Sequence, residues 1–137
     1  MELHFNLTDI EFINALEEGT LDPALFSHEA HLRLAWIQIN NYGVENAIAC
    51  ISHQLSIYVA FLNASDKYNA TLTVAAIRTV KHFMDKSKSS NFRDFITEFP
   101  RLKYNFKELI GLHYGFDIFN SVAAKNKYLE PDLLPFE

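Results

Sequence analysis

The sequence predicts an all-α fold, a single bundle of about five to six helices with an extended C-terminal strap. Apolar side chains recur every three to four residues over most of the chain, which is the period of a helix with one buried face. Of the 137 residues 49% are hydrophobic, enough for a core without disulfides or a structural metal. Four glycines and four prolines are too few for a loop-rich β-sandwich. With no internal repeat, we expect one domain over residues 1–137.

Local signals mark where the first two helices begin. Thr8 and Glu11 have the spacing of a capping box, and Gly19 is a suitable residue to end the helix that follows. Ser27 is a good N-cap for a second helix over residues 28–40.

The remaining helices follow from apolar periodicity. A continuous apolar stripe predicts a third helix over residues 44–62, and a fourth is expected over residues 70–86. A short Phe-rich helix over residues 92–99 and a less regular segment over residues 101–114 complete the set. The tail, residues 130–136, contains two prolines and is expected to be extended.

Charge and cysteine content exclude several classes of protein. The formal net charge of −5 argues against nucleic-acid binding. Before Lys67 nine acidic residues accompany one basic residue, Arg33, whereas eleven basic and eight acidic residues follow from Lys67 onward. This asymmetry could steer a charged partner, or one half of the chain could face the other. The single cysteine, Cys50, excludes an internal disulfide.

The sequence contains no secretory signal and no apolar run of the roughly 20 residues that a membrane span needs. The cytoplasm is therefore the expected location, without a membrane partner.

Two histidines on the second helix are the main candidates for chemistry. His28, His31 and Gln38 fall on one stripe of a helix that is apolar nearly all round, so we expect them to point inward. Glu29 and Arg33, spaced i, i+4, are expected to form an ion pair on the most solvent-exposed face of this helix.

Inward histidines allow three functional interpretations and one structural interpretation. They could form a polar pocket, act as an acid–base pair, or bind a divalent metal, since an i, i+3 pair can share one ion. The spacing is one residue short of the His-Glu-x-x-His zinc motif. They could instead be core histidines satisfied by backbone hydrogen bonds.

The other histidines and a polar run give further candidates. His53 and His82 fall on solvent faces, and His4 has no evident partner. Tyr68, Asn69, Thr71 and Thr73, at the start of the fourth helix, could bind a polar ligand or simply cap the helix. The last candidate is His113.

Three stretches resemble a family of small, uncharacterised bacterial proteins, and together they span the chain from about Phe26 to its end. The family blocks are Phe-x-His-x-x-His-Leu-x-x-Ala-Trp, Tyr-His-x-Thr-x-Thr and Pro-Asp-Leu-x-Pro. The matching stretches are Phe26-Ser27-His28-Glu29-Ala30-His31-Leu32-Arg33-Leu34-Ala35-Trp36, Lys67-Tyr68-Asn69-Ala70-Thr71-Leu72-Thr73 and Tyr128-Leu129-Glu130-Pro131-Asp132-Leu133-Leu134-Pro135.

The resemblance implies that one site is surrounded by residues from all parts of the chain, namely His28, His31, Tyr68, Asn69, Thr71, Thr73 and His113. It supplies no reaction. Asn69 stands where the family has histidine, so either the activity is lost or altered, or this position acts by hydrogen bonding.

Two hypotheses of function follow. The first is a pocket for a small polar ligand, with or without catalysis, between the second and fourth helices. The second is a protein-interaction or homodimerisation module in which the histidines are structural and the Phe-rich fifth helix and the tail bury a partner. A pH sensor is a third. A cavity at the His28/His31 stripe favours the first hypothesis, and an exposed Phe patch favours the second.

Overall fold

The computed structural model describes residues 1–136 and is all-α, as predicted from the sequence. Within these residues there is no strand. The eight α-helices are α1 (Asp9–Glu18), α2 (His28–Tyr42), α3 (Val44–Phe61), α4 (Ala70–Met84), α5 (Phe92–Glu98), α6 (Arg101–Tyr104), α7 (Phe106–Gly111) and α8 (Val122–Asn126). Three short 3₁₀ helices lie at Leu3–Asn6, Pro23–Leu25 and Ser65–Lys67.

The predicted helix starts are confirmed by their caps. Thr8 and Glu11 form the full capping box at α1, and the Ser27 side chain accepts a hydrogen bond from the Ala30 amide at α2. Asn69 caps α4 in the same way, accepting from the Leu72 amide. These short polar side chains satisfy amides that the first turn of a helix leaves without partners.

The number of helices is larger than predicted. The predicted segment 101–114 divides at Asn105 into α6 and α7, and α8 forms where the sequence showed no clear period. These pieces have four to six residues, too few for a periodic pattern to stand out from chance.

Helix α2 lies at the centre of the molecule, packed against α3 and α4, with α5 and α6 against its other sides. Every residue from Leu32 to Ile39 is buried. The first half of α2, the second half of α3 and the first half of α4 lie beside one another, because residues from all three line a common space. Helices α2 and α4 therefore begin at the same end of the bundle.

The apolar side chains form two clusters rather than one. The large core gathers most of α1 to α6, including Phe12, Phe92 and Phe95. A small core of Ala75, Ile110, Tyr114, Ile118 and Ala124 lies between α4, α7 and α8. Ten of the twelve Phe residues are buried or half-buried, and only Phe61 and Phe116 are exposed.

The C-terminal strap, residues 127–136, is non-helical and fastened by hydrogen bonds. The fully buried hydroxyl of Thr71 donates to the Lys127 carbonyl at 2.9 Å and accepts from the Leu129 amide at 3.0 Å. The Tyr114 hydroxyl donates to the Leu129 carbonyl at 2.7 Å, and burial raises the pKa of this phenol. Further along, the Asp132 carboxylate accepts from the Gly115 amide.

None of the helices described in residues 1–136 combines the length and apolar character needed to cross a membrane.

Candidate functional site

A cleft of about 490 Å³ lies between α2, α3 and α4 at the end where α2 and α4 begin. Its walls are mostly aliphatic and aromatic, and its polar groups come from the starts of the two helices. The lining residues are Pro23, Phe26, His28, His31, Leu32, Leu34, Ala35, Ile51, Leu55, Tyr58, Val59, Leu62, Lys67, Tyr68, Asn69, Leu72, Thr73, Ala76, Ile77 and Phe106.

Three aromatic side chains pack together in one wall of the cleft. The ring of Phe26 stacks on the imidazole of His31 with 3.8 Å between centroids, and its edge meets Tyr58 at 5.3 Å. Tyr58 is fixed in turn, because its hydroxyl donates to the Leu21 carbonyl at 2.8 Å. The position of the His31 ring is thus set by packing as well as by hydrogen bonding.

His31 presents an unprotonated nitrogen. Its Nδ1 lies 2.8 Å from the Ser27 carbonyl oxygen, which can only accept, so Nδ1 carries the proton and Nε2 of the neutral ring has a lone pair. His28 and His31 are exposed residues that open on the cleft, so the prediction that they point inward was wrong for both, whereas Gln38 of the same stripe is buried. Protein atoms nevertheless pack closely around the His31 ring and exclude water from much of it. This desolvation lowers the pKa of His31, with a smaller contribution from His28, against the opposing effect of the Ser27 hydrogen bond.

The His31 ring should titrate at a lower pH in the folded protein than in the urea-unfolded chain, where it is solvated like an ordinary imidazole of pKa 6.5. Because the folded pKa is lowered, the contribution of His31 to stability is complete above the unfolded pKa and is lost as the pH falls through the folded pKa. NMR titration of the ring measures the shift. Removing the packed ring with Phe26→Ala should move the pKa back towards that of the unfolded chain, and an unchanged value would contradict this cause.

His28 has a similar arrangement with the nitrogens exchanged. Its Nε2 lies 2.9 Å from the Leu102 carbonyl oxygen, and its ring packs 4.7 Å from that of Phe106. The proton therefore sits on Nε2 and leaves Nδ1 as the acceptor. Two lone pairs, one turn of helix apart, belong to residues that line the same cleft.

A metal at His28 and His31 stays a prediction. A carbonyl hydrogen bond on the second nitrogen is typical of metal-ligating histidines. Among residues 1–136, however, no third His, Cys, Asp or Glu side chain joins this pair at ligand spacing. The one cluster with such spacing in this part of the chain consists of Glu2, His4 and Glu29. There the Lys103 ammonium already lies 3.0 Å from Glu2 and 3.1 Å from Glu29, where a cation would bind.

The expected surface ion pair of Glu29 and Arg33 was wrong. Both side chains are buried and point to separate partners. Glu29 accepts from His4 at 2.6 Å and from Lys103, whereas Arg33 donates to the carbonyls of His4 and Leu7 and to the carboxylate of Asp9. His4 itself is fully buried between them. This buried network fastens the N-terminal segment to α2 and α6.

The remaining candidates fall into two groups. Tyr68, Asn69 and Thr73 line the cleft with the two histidines. The Asn69 amide also donates to the Ile118 carbonyl at 2.8 Å, so all its described hydrogen bonds serve the fold, and the Thr73 hydroxyl donates to the Asn69 carbonyl.

Gln38, Thr71 and His113 lie outside the cleft. Gln38 is buried further along α2, where its amide donates to Gln54 at 3.2 Å. Thr71 holds the strap. His113 donates to the Leu134 carbonyl at 2.7 Å, so it also belongs to the strap region.

Among the lining residues that were not candidates from sequence, four either pack beside the polar groups or carry charge. Tyr58 and Phe106 had no signal beyond apolar periodicity, which is the same for core and cleft walls. Phe26 is the first residue of the Phe-x-His-x-x-His block, and that block was its available signal. Lys67 precedes the polar run at α4 directly, and its place next to that run was the available signal.

Comparison with known proteins adds nothing to this geometry: no family model, no curated protein and no solved structure matches the chain. The fold and the site define an all-α protein with a mainly apolar cleft of ligand size.

Proposed function

We propose that the protein binds a small molecule in the cleft, with an apolar body against α3 and α4 and a polar group near His28 and His31. The observation that carries this proposal is the cleft itself, in which two imidazoles, each with one unprotonated nitrogen, and a few other polar groups line mainly apolar walls. Small-molecule sites typically have volumes of roughly 300–1,000 Å³ and combine apolar walls with a few fixed polar groups.

The histidines support binding more directly than catalysis. Each ring is held by a backbone carbonyl and by an aromatic neighbour, so its free nitrogen can accept a hydrogen bond without first being ordered. Among residues 1–136, the lining contains no Ser, Cys, Asp or Glu, and its one aliphatic hydroxyl, that of Thr73, already donates to a carbonyl. A proton accepted by His31 is therefore the chemistry that these side chains could add.

The interaction hypothesis loses its main support. Phe92 and Phe95 of α5 are in the core, and Phe99 is half-buried against it. In the described tail, Leu133 and Leu134 remain exposed. A homodimer stays a prediction, and the exposed Phe residues of the described chain, Phe61 and Phe116, lie outside α5 and the tail.

The binding proposal can be tested with N-phenyl-1-naphthylamine, an uncharged dye that fluoresces in apolar surroundings. We expect saturable binding by the native protein. Ala76→Phe places a ring in the cleft and should weaken binding by roughly ten-fold or more. NMR signals of the His31 ring should shift on dye binding.

Ala60→Phe is the matched control, because Ala60 is exposed on α3 and does not line the cleft. It should bind the dye like the native protein. Equal dye binding by both variants, with no change at His31, would place the dye elsewhere and contradict the proposal.

A further inference from the structure

We infer that the cleft is built for an anionic amphiphile, a molecule with one acid group and an apolar body, and that Lys67 binds the acid group. This inference rests on the proposed function and names the chemical class of the ligand. It follows from the distribution of charge around the cleft.

In the part of the chain that the structure describes, the cleft lining contains basic groups and no acidic ones. Lys67, His28 and His31 are the lining residues that can carry positive charge, and neither Asp nor Glu is present among the lining residues of the described chain. The protein as a whole has 17 acidic and 12 basic residues, so a lining without acids departs from its composition. Most of the lining residues come from the part of the chain before Lys67, and that part contains nine acidic residues and one basic residue. The absence of acids from the lining therefore contrasts even more strongly with this part of the chain.

Lys67 is available for a ligand. Its side chain is exposed, and within residues 1–136 it makes no salt bridge, unlike Lys81 and Lys103. It sits just before α4, at the edge of the cleft next to Tyr68 and Asn69. An ammonium at the mouth of an apolar cleft leaves the apolar body of a ligand free to enter.

Helix dipoles add to this positive potential. Helices α2 and α4, of fifteen residues each, both begin at the cleft, which is lined by His28, His31, Asn69 and Thr73 of their first turns. The N-terminal end of a helix carries a partial positive charge. The C-terminal end of α3, capped by Leu62, also lies at the cleft. Its partial negative charge offsets the positive charge of one of the two helix N-termini.

The opposite part of the cleft suits a hydrocarbon. Its walls come from the middle of the three helices and are aliphatic, with Leu34, Ala35, Ile51, Leu55 and Ile77. An acyl chain or a small ring system there would lose water-exposed apolar surface at roughly 25 cal/mol per Å². Polar body groups would have no partner at this depth.

An acid group also changes the protonation of His31. The titratable groups that line the cleft are His28, His31, Lys67 and the phenols of Tyr58 and Tyr68. Asp22, next to the lining residue Pro23, is the acidic neighbour: burial and, to a smaller extent, this carboxylate raise the pKa of Tyr58. The neutral ring offers a lone pair, which a carboxylate does not bind, whereas the imidazolium would donate to it. Binding of an anion should therefore raise the pKa of His31 from its lowered value.

The test compares decanoate, decan-1-ol and decylammonium, which share an alkyl chain and differ in charge, by displacement of N-phenyl-1-naphthylamine. Decanoate should bind roughly ten-fold more tightly than the alcohol, the usual gain from a charged hydrogen bond. Lys67→Met should remove most of this preference and leave the alcohol unaffected, while Lys67→Arg should retain it. Lys88→Met, in the exposed connector after α4, is the control.

Equal affinity for the three amphiphiles, or preference for the ammonium, would overturn the inference and leave the cleft as a binding site. So would a decanoate affinity unchanged by Lys67→Met. If neither the dye nor any amphiphile binds, the proposed function fails and the inference fails with it.

Discussion

Replacing Arg33 by methionine should lower the free energy of unfolding by about 3 kcal/mol, or roughly 10 °C in melting temperature for a chain of this size. Arg33 is 4% exposed, and its guanidinium donates to the His4 carbonyl at 2.7 Å and to the Leu7 carbonyl at 2.8 Å. Methionine preserves the apolar stem of the side chain but supplies no donor. In the folded variant, the His4 and Leu7 carbonyls would no longer receive the hydrogen bonds of the guanidinium.

Methionine also removes other interactions of the guanidinium. The Arg33 guanidinium lies over the rings of Phe5 and Phe12, at 5.6 and 5.0 Å from their centroids. It pairs with Asp9 at 2.9 Å, although Asp9 is half-exposed and this contact should contribute less.

Urea unfolding followed by circular dichroism measures the loss. Arg78→Met is the matched control, since Arg78 pairs with the exposed Glu45 on the surface and should cost at most about 1 kcal/mol. If Arg33→Met were as mild as the control, the buried network would not be what holds the N-terminal segment on α2.

Replacing Thr71 by valine should cost about 2 kcal/mol and loosen the strap. The two side chains have nearly the same shape, so the packing around this fully buried position is kept. The hydroxyl is lost, however, and the Lys127 carbonyl and the Leu129 amide lose the group that joins them to α4. An unsatisfied polar group in a closed site costs about 1–3 kcal/mol.

Amide hydrogen exchange should locate this effect in residues 127–136, together with a lower urea midpoint. Thr97→Val serves as the control, because Thr97 is exposed and its hydroxyl donates only to the Arg93 carbonyl within its own helix. A uniform increase of exchange over the whole chain would show that Thr71 supports the fold in general and not the strap in particular.

What the sequence could predict was local. Thr8, Ser27 and Asn69 mark helix starts because a cap depends on three or four consecutive residues. The stripe of His28 and His31 is equally local, since it follows from 100° per residue on one helix. Both histidines do line the cleft.

The features that the sequence could not predict depend on hydrogen-bond partners that are distant along the chain. Glu29 and Arg33 have the spacing of a surface pair, but their partners include Lys103, 74 residues beyond Glu29, and His4, 29 residues before Arg33. Helix α2 has almost no polar face in its sequence, which indicated that these charges are buried. No local pattern, however, indicates which groups bind them. Gln38 shares the histidine stripe but lies where α3 closes over α2, with Gln54 against it.

Helix α4 begins in a stretch where almost every side chain has a separate task. Asn69 caps the helix and reaches the Ile118 carbonyl, Thr71 ties down the strap, Leu72 packs in the small core and borders the cleft, and Thr73 faces the cleft. Neighbouring positions on a helix point in different directions, so one turn meets all these demands at once. Residues 69–73 should therefore tolerate fewer substitutions than any surface turn of equal length, and a change selected to alter the cleft there would also disturb the anchorage of the tail.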